Sequence, residues 1–298
     1  MNDFYKPLAE RTPDTQYQNS LRAILDDYVL DTHTYQGVPA RTRFGMLPPM
    51  VFDLANGIPL ITERDMAYWG TWKESIAEKI AFINGARTID DIESYGCNKF
   101  WKEYRGLGTE IGLEPNDMGP GSYGPAFHDF EIPGGGTLNQ YEQLVEQLTK
   151  FPYARTHFIT PWKPYYTAVG PNRKVIIAPC HGWVYVRVLE EKLYMIMVQR
   201  SADVPIGVPS NMFQYAALLL MLAQVTGREM GHFSHYLLDA HVYENQVPKV
   251  QELISRKPRS FPILRLDSSV KNLFDFRIEH FSLDEYNPHP RLNIPFAR

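Results

Sequence analysis

The 298-residue sequence has only two cysteines, Cys97 and Cys180. Two thiols are too few for a disulfide framework and point to a reducing compartment. Neither belongs to a CxxC motif or to a Cys/His spacing of the zinc-binding kind, so no metal is expected. Long apolar runs are missing too. The longest uninterrupted one covers residues 216–223, too short to cross a bilayer, which argues against a membrane partner. The first residues, MNDFYKPLAERTPD, lack the apolar core of a signal peptide, and a cytoplasmic location is expected. No charge of one sign dominates. Lys and Arg total 30 against 34 Asp and Glu, a formal charge of −4, so no nucleic-acid surface is expected. No repeat, low-complexity tract or linker divides the chain, and one domain over residues 1–298 is expected.

What is present suits a substantial core: 44% of residues are hydrophobic and 13% aromatic. Leu21, Ile24, Leu25 and Tyr28 recur at helical spacing and predict a helix over 17–31. Residues 50–54 read as a strand ending at the Asn56-Gly57 turn signal. A helix is predicted over 72–84, with Ile76, Ile80 and Ile83 inward and Gly85 closing it. Glu78 on that helix lies beside Ala81 and Phe82. Burial there would raise its pKa and suit it to general acid/base work; the alternative is a surface glutamate paired with a lysine. A helical pattern over 88–104 precedes a glycine- and proline-rich loop over 105–136, and an amphipathic helix follows over 138–150.

Residues 174–188 and 192–199 predict two strands joined at Glu190-Glu191, which puts Cys180 on or beside a strand. The apolar segment 212–225 predicts a buried helix. Later elements are a strand over 232–243, a helix over 247–256 interrupted by Pro248, and strands over 261–266 and 274–283. The tail, 286–298, has no structure of its own by pattern.

The chemistry concentrates in residues 179–215. Cys180 stands directly before His181, followed by Gln199-Arg200-Ser201, Asp203, Gly207 and Pro209-Ser210-Asn211. A thiol becomes a nucleophile when a cation favours its thiolate, and strand pairing would bring Arg200 near the sulfur. An amide such as Asn211 both donates and accepts, matching a heterocycle with adjacent N–H and carbonyl groups. A structural cysteine and a helix-capping asparagine would look the same in isolation. A hydrolase built on Cys180 and His181 is disfavoured, because neighbours on a strand point to opposite faces. Upstream, Arg41 and Arg43 read either as anion ligands or as solvated cations.

The combination is more specific. APCH (178–181), then QRSxDxxxGxPxN ending at Asn211, then Asp239, His241, Tyr243 and Asn245, resembles the thymidylate synthase family. FDLANGIPLIT, the segment around Glu78, Trp101, GPGSYG and Asn287-Pro288-His289-Pro290 agree in order, over residues 17–298. The resemblance implies a homodimeric α+β fold, a single domain with a large mixed sheet and surrounding helices, and the tail closing over the site as a lid. It implies one-carbon transfer from 5,10-methylenetetrahydrofolate to C5 of a pyrimidine nucleoside monophosphate. By resemblance, Cys180 adds to C6 of the base, while Glu78 and Tyr123 belong to a proton-moving network. Asn211 reads the base edge, and His241 and Tyr243 hold the sugar. Arg200 and Ser201 take the phosphate, with Arg155 arriving from the partner subunit, and Trp101 and Asp203 contact the folate. His181 either serves the water network or packs.

The departures from the family pattern carry information as well. Tyr35 stands where the family has a phosphate arginine, and Thr156 replaces one of the partner-derived pair. Arg41 or Arg43 is a candidate substitute. Pro125-Ala126-Phe127-His128, Leu237-Leu238 and Ser210 also differ. So many changes favour a hydroxymethylated over a methylated product, the altered lining admitting water. Asn211 favours uracil, since cytosine-specific relatives tend to carry Asp there. The alternatives are an ordinary thymidylate synthase, a hydroxymethylase acting on CMP or dCMP, and a non-catalytic nucleotide- or folate-binding relative.

Overall fold

The computed structural model describes residues 4–297, with Trp69 described by its backbone alone. Residues 1–3 and 298 of the expected single domain, and so the last residue of the expected lid, lie outside the described residues.

The centre is a seven-stranded sheet in the order β1-β2-β9-β8-β7-β6, with β3 also paired to β9. Its strands are β1 (Val29–Asp31), β2 (Ala40–Phe44), β3 (Met50–Asp53), β6 (Phe158–Ile159), β7 (His181–Leu189), β8 (Lys192–Asp203) and β9 (Glu229–Tyr243). Two small hairpins lie apart: β4 (Phe130–Glu131) with β5 (Thr137–Leu138), and β10 (Ile263–Leu266) with β11 (Phe281–Asp284). The helices are α1 (Gln16–Asp26), α2 (Thr71–Ile83), α3 (Ile89–Ser94), α4 (Tyr123–His128), α5 (Gln140–Lys150), α6 (Pro164–Thr167), α7 (Gly207–Thr226) and α8 (Val247–Ser255). The α+β class with a large mixed sheet is as expected. Within the sheet only β8 and β9 run parallel, because α7 carries the chain back between them.

Strand alternation sorts the sheet into two faces. Val184, Val186 and Val188 of β7, Met195 and Met197 of β8, and Phe233 of β9 point into the core. Helix α7 covers them and is buried around its whole circumference from Val208 to Ala223. Helix α2 packs on α7, and it buries not only Ile76, Ile80 and Ile83 but also Glu74, Glu78 and Lys79. Trp183, Tyr185, Tyr194, Ile196 and Val198 point to the opposite face and stay partly exposed.

Several expected elements differ. The first helix stops at Asp26, because Asp27 turns extended and Val29–Asp31 joins the sheet. Tyr28 therefore leaves the core; it is exposed, with the Arg41 guanidinium 4.7 Å from its ring centre. The helical pattern over 88–104 yields only α3, held by a Thr88/Asp91 capping box, and a later 3-10 turn. The loop over 105–136 contains α4, which its Gly and Pro hid. Residues 174–180 are not strand, because β7 begins at His181, after Pro179. Pro248 sits in the first turn of α8, where a missing N–H costs nothing, so it does not interrupt that helix. Of the strand expected over 274–283 only residues 281–283 belong to β11, and 3-10 turns at Leu273–Asp275 and Ile278–His280 precede it.

Candidate active site

A cavity of about 850 Å³ opens where the C-terminal ends of β8 and β9, the N-terminal end of β7 and the first turns of α7 meet. Register makes this corner. His181 pairs with Gln199, Ser201 with Asp239, Asp203 with His241, and Ala40 with Tyr243. Residues distant in the chain thus fall on one rim. Gly182 makes the bulge at the start of β7: its φ is 110°, and a Cβ there would lie 2.8 Å from the Tyr215 hydroxyl.

Cys180 lines this cavity. Its Sγ lies 3.8 Å from Nη2 of Arg200 and 3.6 Å from the Ala178 carbonyl. Arg200 is held by donating from Nε to the Pro179 carbonyl at 3.2 Å and from Nη2 to that of Ala178 at 3.4 Å. The Cys180 N–H donates to the Tyr123 phenol oxygen at 2.6 Å. Burial pushes the thiol pKa up, and Arg200 pulls it back only in part. The expected approach of cation to sulfur is present, while the net shift runs opposite to what the cation alone would give.

Behind the cavity lies a buried chain of polar side chains. Gln199 donates from Nε2 to Asn211 Oδ1 at 3.1 Å, and Asn211 donates from Nδ2 to Gln214 Oε1 at 3.3 Å. Gln214 donates onward to Glu78 Oε2, and the Trp101 indole N–H donates to Glu78 Oε1 at 2.6 Å. Burial raises the Glu78 pKa against the opposing pull of those two donors. The structure thus settles the choice left by the sequence: Glu78 is a core carboxyl and not a surface group.

His181 Nδ1 lies 2.9 Å from the Tyr215 hydroxyl, and its ring stacks on Tyr123 with centroids 4.6 Å apart. Burial first, then Lys79, holds its pKa well below the usual histidine range, so it is neutral near pH 7. Lys79 is 1% exposed, its Nζ has no hydrogen-bond partner, and it lies 3.7 Å from the Tyr215 ring centre. Desolvation lowers its pKa to about 7.

Ser201, Asp203, His241 and Tyr243 line the cavity as well. His241 Nδ1 lies 3.2 Å from the Asp239 carbonyl. Asp203 accepts from Gln246 Nε2 at 3.2 Å and from the Ile206 N–H at 3.2 Å. The same Gln246 nitrogen donates to the Pro295 carbonyl at 3.1 Å, and Ala297 packs on Ala40 and Tyr243, so the tail is fastened beside Asp203. Phe296 and Ala297 line the cavity.

Other expected residues sit elsewhere. Glu78, Tyr123, Trp101 and His181 form the layer behind the cavity and are not among its lining residues. Arg155 is exposed outside it. Arg41 and Arg43, the candidate substitutes for a phosphate arginine, do not line the cavity. Arg41 is paired with Glu244 at 2.7 Å and Arg43 with Asp27 at 2.8 Å, and only Thr42 between them lines the cavity. Among the family departures, Tyr35 lines the rim, whereas Pro125–His128 and Leu237-Leu238 do not. Gln214 and Tyr215 escaped sequence reading because they lie in an apolar helical stretch that reads as core, and Lys79 because a lysine on a helix reads as a surface residue. Arg173, which lines the cavity, stands in a segment with no pattern at all.

This arrangement sets a thiol, a fixed cation and an oriented amide on one cavity, with a buried carboxyl in the layer behind it. It suits nucleophilic addition to a hydrogen-bonding heterocycle with proton transfer nearby. The profile of the family described as Thymidylate synthase matches residues 15–298, nearly the whole chain. The chain belongs to the thymidylate synthase family, whose members transfer a one-carbon unit from methylenetetrahydrofolate to C5 of a pyrimidine nucleotide.

Proposed function

We propose that this protein hydroxymethylates C5 of a uracil nucleoside monophosphate through a covalent Cys180–C6 adduct. The observation that carries the reading is Cys180 Sγ on the cavity wall, 3.8 Å from Arg200, with Asn211 lining the same space. Sulfur addition to C6 makes C5 a carbon nucleophile. Arg200 stabilises the thiolate as it forms, which offsets part of the effect of burial. Asn211 holds the base edge. Glu78, its pKa raised, moves protons at the base through an ordered water network, while Gln214 ties it to Asn211 and Tyr123 is fixed against the Cys180 backbone. His181 serves this layer as a neutral imidazole. His241 and Tyr243 take the sugar, and Arg200 and Ser201 the phosphate. Bound folate supplies the one-carbon unit. Asp203 faces the cavity for it and Trp101 stands behind, and the tail over 286–298 serves as the lid.

Water as the final nucleophile is supported by the rim. Asp31, His33, Thr34, Gln36 and Glu103 line the same cavity as Cys180 and offer polar groups for holding a water. Incubation with methylenetetrahydrofolate and a panel of dUMP, UMP, dCMP and CMP is expected to give a uracil product one oxygen heavier than the methylated one, with tetrahydrofolate released. Dihydrofolate, seen as an absorbance rise, identifies methylation instead.

The partly exposed apolar face of the sheet supports a homodimer. Arg155 then completes the partner's phosphate site. Arg155→Ala and Cys180→Ser proteins, each impaired alone, are expected to recover up to about a quarter of parental activity when subunits exchange, since half the dimers are mixed and each has one intact site. No recovery in a confirmed mixed dimer refutes the shared site.

A further inference from the structure

We infer that Gln214 is a positioning and specificity residue, locking the Asn211 amide in one orientation and tying it to the Glu78 carboxyl. The inference rests on the function proposed above and adds a residue that neither the motif nor the family pattern singled out.

The amide assignments follow from backbone carbonyls, which only accept. Gln214 Nε2 lies 2.8 Å from the Ser75 carbonyl, so that atom is the nitrogen. Its second hydrogen goes to Glu78 Oε2, which leaves Oε1 facing Asn211, and the Asn211 atom opposite must be Nδ2. The other side gives the same answer independently. Gln199 Nε2 lies 3.1 Å from the Ser201 carbonyl and 3.1 Å from Asn211, whose facing atom must be Oδ1. Gln199 Oε1 in turn accepts from His235 Nε2 at 2.9 Å. Turning the Asn211 amide over would set nitrogen against nitrogen at Gln199 and oxygen against oxygen at Gln214.

Gln214 is 0% exposed, so its hydrogen bonds have no water to replace them. A freely turning Asn211 would match the N3–H/O4 edge of uracil in one orientation and the N3/N4–H₂ edge of cytosine in the other. A locked one matches a single edge, and the proposed function identifies it as that of uracil. The same side chain makes the contact to Glu78, so base reading and proton transfer share one buried atom group.

The experiment measures tritium release from C5-labelled UMP, dUMP, CMP and dCMP by the parent protein, Gln214→Met and Gln214→Glu, with methylenetetrahydrofolate present. Met keeps volume but has no donor. Gln214→Met is expected to lower the uracil-to-cytosine ratio of kcat/KM roughly tenfold, the loss of about one buried hydrogen bond, and to lower kcat. Glu keeps the shape but can bridge to Glu78 only while the two carboxyls share a proton. Two carboxyls hold that proton more tightly than Glu78 alone, so the variant's alkaline limb is expected to move to higher pH by about one unit or more. A purely structural role would move neither the ratio nor the limb. A folded Gln214→Met whose ratio stays within twofold of the parent overturns the inference. If that variant does not fold, an unshifted alkaline limb in Gln214→Glu does so. A parent protein that releases no tritium from any nucleotide overturns the proposed function instead, so the two failures are distinct.

Discussion

Replacing Cys180 by serine is expected to abolish tritium release from a C5-labelled nucleotide, by at least about a thousandfold, while leaving the fold intact. In the proposed function everything else around the cavity orients, stabilises or moves protons, and only this sulfur forms the bond that activates C5. A serine hydroxyl at the same place would stay protonated. Arg200 at 3.8 Å cannot bring an alcohol down to the working range when it only partly offsets burial even for the thiol. The stability cost is small, because Sγ makes one 3.6 Å contact to the Ala178 carbonyl and otherwise faces Arg200 and the cavity. Tritium release by a folded serine protein at the parental rate would refute covalent catalysis through Cys180.

The second large effect concerns stability and its sign with pH. Unfolded, Lys79 keeps its proton up to its ordinary value of 10.5; folded, it loses it near about 7. Between those values the unfolded chain binds the extra proton, so raising the pH relieves the penalty, and below about 7 the penalty applies in full. At about 1.36 kcal/mol per unit the cost is on the order of 5 kcal/mol, brought to about 4 kcal/mol by the contact with the Tyr215 ring. Glu78, Tyr215 and His181 are the titratable neighbours, and Glu78 is the one that favours the charged amine. Lys79→Met is therefore expected to raise the melting temperature clearly at pH 6, with the gap to the parent closing as the pH approaches 10. A gap that stays constant or widens with pH would show that Lys79 is not desolvated as the fold requires.

The two predictions differ in how far the sequence could reach them. Cys180, Arg200, Ser201, Asp203 and Asn211 were legible because they lie close together in the chain and follow a long ordered motif. The hydrophobic spacing of α2, α5 and α7 was legible for a related reason: one buried face repeats every turn. Lys79 was invisible, because a lysine in a helical stretch reads as a surface residue until its neighbours are known. The α4 helix was hidden as well. Its Tyr-Gly-Pro start carries loop composition, yet Tyr123 must point from that helix to the Cys180 N–H.

By itself, then, the sequence determined the family through its long ordered motif, and with the family the α+β class and the proposed nucleophile; local order along the chain was enough for these. Only the tertiary structure decided how those parts are connected. Gln214 meets Glu78 across 136 positions, and Gln199 reaches His235 across 36. It also decided which arginines are committed elsewhere, Arg41 to Glu244 and Arg43 to Asp27, since β2 alternation turns both away from the cavity while Thr42 faces it. The physical reason is that a side-chain hydrogen bond is made within about 3 Å. Strand register and helix packing bring two residues that close, and neither is encoded by the spacing of residues along the chain.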